Sequence, residues 1–123
     1  MPQGVNKTGK STDSRDPEVA RILEDTPRDA LFCAIGDCRD AADIQDFLLD
    51  LCTKQELDAL AERWLIARLL HQGDLSYRDI SALTGASTTT IGRVARFLQQ
   101  EPHEGYKRIL ERQNRDKTRT AKS

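Results

Sequence analysis

Ser87, Thr88, Thr89 and Thr90 open a short segment, TTTIGRVARFLQ, that contains two arginines and no acid. Hydroxyls and guanidiniums at the start of a helix do not form a nucleophile or a proton shuttle. Thr and Ser hydroxyls bond base edges or phosphate oxygens, Thr methyls meet the thymine methyl, and Arg makes bidentate bonds to phosphate or guanine. The chemistry indicated is recognition of a polyanion. Arg96, one turn beyond Arg93, is a candidate phosphate contact on the same segment.

The elements that would hold these side chains read as a helix-turn-helix over 76–99. Ser76 caps a helix of about Tyr77 to Leu83, with Ile80 and Leu83 facing inward. Gly85 supplies the positive φ of a sharp turn. Ser87 caps the second helix, and Ile91, Val94 and Leu98 form its buried stripe. In such units the start of the second helix meets the base edges, here Ser87 to Thr90. An ordinary αα-hairpin of a helical bundle is the alternative.

At 123 residues, 37% hydrophobic and 32% charged, the chain holds one modest core and solvated segments, with little room for a deep enclosed catalytic pocket. Its net charge of -1 conceals an uneven distribution: residues 1–75 hold 9 basic and 15 acidic side chains, residues 76–123 hold 10 and 5. The basic part coincides with the motif, as expected of a DNA-binding module. Cys33, Cys38 and Cys52 lack metal-ligand spacing, so reduced thiols and neither metal nor cofactor are expected. His71 and His103 have no catalytic partner nearby in sequence, which argues against an enzyme. With no signal peptide or long apolar run, the expected location is cytoplasmic and not membrane-bound.

The remaining signals are all helical. Residues 1–15 are polar and expected to be a disordered arm, 16–113 a helical domain, and 114–123 a basic flexible tail. Asp16-Pro17 and Thr26-Pro27 start two helices, the second ended by Gly36. Asp40 or Asp43 caps a third with Ile44, Phe47, Leu48 and Leu51 on one side. Thr53 and Glu56 form a capping box that starts the longest helix, Lys54 to Gln72, with Gly73 at its end. Its apolar residues, Leu57, Leu60, Trp64, Leu65 and Leu69 among them, make a stripe too wide for one small neighbour. Burial against a second copy is expected, the alternative being the central helix of a monomer. Pro102 begins a last helix with Tyr106, Ile109 and Leu110 on its apolar side.

The stretches TKQELDAL, ERWLIARLL and QGDLSYRDISALTGASTTTIGRVARFLQQEP, within Leu48 to Pro102, resemble the Trp repressor superfamily, more closely its Trp-repressor-related YerC/YecD-type branch. The resemblance implies an all-α, intertwined homodimer whose two heads enter successive major grooves about 34 Å apart. It implies DNA contacts by Arg78, Ser81, Thr88 and Thr89. It also places Arg63 and Arg93 where two arginines flank the indole of bound tryptophan, with Thr53 at the pocket edge. Val94 and Phe97 depart from the repressor, which has Gly and Ser there. Phe97 lies at i+4 from Arg93, so its ring is expected to plug the pocket by stacking on Arg93, and on Arg63 as a second cation. The alternative is a core Phe97 with both arginines in surface ion pairs. The function expected is a sequence-specific, two-fold DNA reader regulating transcription, most simply a repressor, that needs no tryptophan or other small-molecule corepressor. The alternative is a dimeric interaction protein that has lost specific DNA recognition.

Overall fold

The computed structural model describes residues 16–122, with side chains through Asp116, and the expected arm at 1–15 lies outside it. Seven helices and no strand occur among the described residues: α1 Pro17–Glu24, α2 Pro27–Asp37, α3 Ala41–Leu51, α4 Lys54–Gln72, α5 Tyr77–Thr84, α6 Thr88–Gln99 and α7 Gly105–Lys122. The chain divides into two compact units at Leu48/Leu49, within α3.

Local signals set most helix starts in the first unit. Asp16 accepts from the backbone N–H of Glu18 at 2.9 Å and Pro17 fills the first helical position, where a missing N–H costs nothing. Thr26 and Pro27 repeat this arrangement, with the Asp29 N–H at 3.2 Å from the Thr26 hydroxyl. Asp40 is the residue that caps α3, accepting from the Asp43 N–H at 3.0 Å. Asp43 instead receives the backbone N–H and Nε of Arg39, at 3.0 and 3.1 Å, which hold its carboxyl below the usual carboxylate range. Gly36 does not end α2: the helix continues to Asp37 and the Cys38 N–H closes it on the Ile35 carbonyl at 3.1 Å. No residue of α1, α2 or α3 is buried.

The second unit holds the core. Ile66 and Ala67 of α4, Ile80 of α5, Ala86 of the turn, Ile91, Val94 and Leu98 of α6, and Leu110 of α7 form one buried cluster. Full burial of an Ile or Val side chain stabilises by about 1.5–3 kcal/mol, so Ile66, Ile80, Ile91 and Val94 anchor three helices to each other. The Thr53–Glu56 capping box opens α4 and Gly73 closes it at φ 93°. Wide exposure of its apolar stripe remains, with Leu60 at 44% and Leu65 at 39%.

Three expectations are corrected here. Leu83 does not face inward; it is 67% exposed. The inward line of this eight-residue helix runs from Ile80 to Thr84, whose hydroxyl donates to the Ile80 carbonyl at 2.8 Å. Pro102 does not begin the last helix. The N–H groups of Gln100 and Glu101 both close on the Arg96 carbonyl, and the chain reverses through Glu104 at φ 58° before α7 starts at Gly105. A left-handed residue cannot belong to a right-handed helix, so Pro102 stays in the turn. The backbone from Asn114 to Lys122, read as a flexible tail, continues α7.

Candidate nucleic-acid interface

The motif is held by hydrogen bonds in which several of the candidate side chains are already engaged. Ser76 and Asp79 form a reciprocal capping box at the start of α5, each side chain accepting the other's N–H at 3.1 Å. At the turn, Gly85 adopts φ 80° and its N–H meets the Ser81 carbonyl at 2.8 Å. The Ser81 hydroxyl donates to the Ala86 carbonyl at 2.8 Å, and the Ala86 N–H donates to the Thr84 hydroxyl at 3.1 Å. These bonds satisfy the backbone of a half-buried turn and so fix the angle between α5 and α6. Thr84, which the sequence reading passed over, is a hub of this turn.

The start of α6 separates into two roles. Ser87 caps the helix by accepting the Thr90 N–H at 3.1 Å, and the Ser87 and Thr90 hydroxyls bond each other at 3.1 Å. Thr88 and Thr89 are exposed, and among the described residues their side chains make no hydrogen bond within the chain. Arg78, on the exposed side of α5, is equally without a partner among the described residues. Three side chains are therefore open to an external acceptor or base edge: Arg78, Thr88 and Thr89. Ser81, Ser87 and Thr90 build the scaffold that presents them.

The other end of α6 carries an aromatic and cationic cluster. The Arg93 guanidinium carbon lies 4.3 Å from the Phe97 ring centroid and that of Arg96 lies 5.1 Å away. The His103 ring stacks on Phe97 with centroids 6.2 Å apart and planes 9° apart. Arg96 also pairs with Glu101, Nε to Oε2, at 3.4 Å. The second cation on Phe97 is Arg96, not Arg63, because residues 93, 96 and 97 share one helix while Arg63 is half-buried on α4. Val94 is 1% exposed and belongs to the core, and the Thr53 hydroxyl is occupied as the cap of α4.

Charge is distributed differently from the first reading. Residues 76–104, the whole motif and its exit turn, contain Arg78, Arg93 and Arg96 against Asp79, Glu101 and Glu104. The head is neutral, and the positive balance of 76–123 resides entirely in α7. Among the described residues there is no group of His, Cys, Asp and Glu that could hold a metal ion, and no helix long and apolar enough to cross a membrane.

The family model described as Trp repressor protein matches residues 27–114, which span α2 to the middle of α7 and include the motif. The chain belongs to the Trp repressor family. This is a family of DNA-binding regulators rather than enzymes, in accord with a site of open hydroxyls and a guanidinium. The protein YerC of Bacillus subtilis (strain 168), whose role is uncharacterized, is 38% identical over 93 residues, covering 76% of this chain and 88% of the relative. A crystal structure of a TrpR-like protein from Eubacterium eligens ATCC 27750 is 37% identical, with a TM-score of 0.66, and the match covers 76% of this chain and 95% of that one. A protein of the same type from Staphylococcus aureus matches at 37% identity and TM-score 0.66, covering 76% of this chain and 92% of that one. These matches agree with the family and the all-α helix-turn-helix fold expected from the sequence.

Proposed function

We propose that this chain is a homodimeric, sequence-specific DNA-binding regulator of transcription, most simply a cytoplasmic repressor that occludes a two-fold operator without needing tryptophan. Arg78 clamps a phosphate or guanine, and Thr88 and Thr89 read base edges; Ser81, Ser87 and Thr90 hold them in place. Arg96, a candidate phosphate contact by sequence, is bound to Phe97 and Glu101 and is assigned to the cluster instead.

The observation that carries ligand independence is the Arg93 guanidinium 4.3 Å over the Phe97 ring. A cation held on an aromatic face is attracted by the ring quadrupole, worth about 0.5–1 kcal/mol at exposed sites. The ring supplied by Phe97 takes the position that an external aromatic ligand would take against Arg93. Dimerisation is supported by apolar side chains left open on every N-terminal helix: Ile22 of α1, Phe32 of α2 and Leu49 of α3 are 65%, 59% and 55% exposed.

Selection of sites from a random DNA library, with purified protein and no added ligand, tests this reading. Enriched two-fold sites with half-site centres about 34 Å apart are expected. Tryptophan titration addresses the plug: wild type is expected to bind none and Phe97→Ser to gain binding, and tight binding by wild type would sink it. The competing reading, a dimeric interaction protein without specific DNA recognition, is favoured by the neutral head, and normal dimerisation with no enriched site would establish it.

A further inference from the structure

We infer that α7 is a second nucleic-acid contact, an electrostatic anchor that grips the phosphate backbone of duplex DNA while the head reads bases. The inference rests on the DNA-binding reading above and adds a surface to it. Residues 105–122 hold seven basic side chains against two acidic ones, Glu111 and Asp116. Arg108, Arg112, Arg115 and Arg119 recur at i, i+4, i+7 and i+11, the repeat of a single helix face. Lys107, Arg108, Arg112 and Arg115 are all exposed. The ion pairs between described residues use Arg21, Arg39, Lys54 and Arg96 and leave these four out.

Helix energetics do not account for this stripe. Cations in the last turn complement the helix macrodipole, but Arg108 lies near the start of α7, where a cation is disfavoured. Like charges at i, i+4, as in Arg108 with Arg112 and Arg115 with Arg119, repel and destabilise the helix. A polyanion along the face removes both penalties, and release of its condensed counterions drives the association.

Packing directs the helix toward the motif. Trp64 of α4 stacks on Tyr106 of α7, centroids 6.3 Å apart, near the start of α7. Further along, Leu69 and Gln72 of α4 and Leu110, Gln113 and Asn114 of α7 line one groove of about 540 Å³. The two helices therefore run in the same direction. From Asn114, level with the end of α4, α7 continues eight residues to Lys122, roughly 12 Å at the α-helical rise. That extension passes the end of α4 at which Ser76 starts the motif. It also lies beyond the family match, which stops at 114. A neutral head has selectivity without general affinity for phosphate, and α7 supplies the missing affinity.

The test is the salt dependence of DNA binding by the full chain and by a variant carrying Arg108→Gln, Arg112→Gln, Arg115→Gln and Arg119→Gln. Gln keeps helix propensity, and Trp64 fluorescence with far-UV circular dichroism checks that α7 stays docked. The slope of log K against log salt is expected to shallow by roughly 2 to 3, with affinity at about 0.1 M salt falling roughly 10- to 100-fold on selected and random DNA alike. The ratio of selected to random affinity is expected to hold, whereas Thr88→Ala with Thr89→Ala should collapse that ratio and leave the slope. An unchanged slope in a protein that still selects sites overturns the anchor and leaves the regulator reading intact. A shallowed slope in a protein that selects no site supports the anchor and overturns specific recognition. Binding of wild type to single-stranded RNA or anionic vesicles in preference to duplex DNA overturns both.

Discussion

The two units of this chain treat their apolar residues in opposite ways. In residues 49–123, α4, α5, α6 and α7 close around Ile66, Ile80, Ile91 and Val94, each under 2% exposed. In the described part of residues 1–48, Ile22, Leu23 and Phe32 are 65%, 61% and 59% exposed, and no residue of α1, α2 or α3 is buried. Both segments have well-capped helices, so local signals are not what separates them. Caps settle where helices start, whereas stability comes from apolar area removed from water. The first segment lacks that within one chain, and a second copy is the proposed source.

Four predictions press on this contrast. Ile91→Ala should have the largest effect, a loss of about 2–5 kcal/mol in denaturant unfolding, because it opens a cavity where α4, α5 and α6 meet. An effect below 1 kcal/mol would remove the claim that the second unit carries its own core. Phe32→Asp comes next: it should cost about 1–3 kcal/mol and abolish the rise of Tm with protein concentration that a dimer shows. A Tm independent of concentration in wild type would break the comparison from the other side, since the first unit would then be stable with its apolar residues in water.

Within the motif, Ser81→Ala should cost about 0.5–1.5 kcal/mol by removing the hydroxyl from the half-buried Ala86 carbonyl, and should weaken DNA binding without Ser81 touching DNA. A stable Ser81→Ala protein whose binding falls as far as that of Arg78→Ala would return Ser81 to the DNA contacts. The smallest effect belongs to Asp43→Asn in the exposed Arg39 pair. Because the folded carboxyl is held below its ordinary value, Asp43 contributes stability above the unfolded carboxylate pKa and loses it as pH falls through the folded one. The Tm difference between wild type and Asp43→Asn should therefore be present near neutrality and close in acid.

Wherever a single residue type decides a backbone feature, the sequence was legible. Thr53 with Glu56, Ser76, Gly85 and Ser87 marked the limits of α4, α5 and α6 because a hydroxyl at an N-cap or a glycine at positive φ acts within four residues. Legibility ended where a fold-specific turn intervened. Pro102 is a good first helical residue, but the reversal at Glu104 delays α7, and nothing local in Glu announces a left-handed backbone. Leu83 looked inward because i, i+3 spacing is ambiguous over a helix of only eight residues. Among the site residues, spacing alone predicted Phe97 beside Arg93, which share one helix at i, i+4. Pairing across elements was out of reach, so Arg63 was expected on the ring and Arg96 was found there.

By itself, then, the amino-acid sequence determined the helices, the turn of the motif, the family and the candidate DNA-facing side chains, since each follows from propensity, capping or periodicity within a few residues. Only the tertiary structure decided which hydroxyls remain open for a ligand and which are consumed by Ala86 and by each other. It alone set α7 beside α4 through Trp64 and Tyr106, carrying the chain's positive charge past the start of the motif. Those outcomes depend on contacts between residues far apart in sequence, and such contacts form only when the buried cluster of Ile66, Ile80, Ile91 and Val94 draws the helices together.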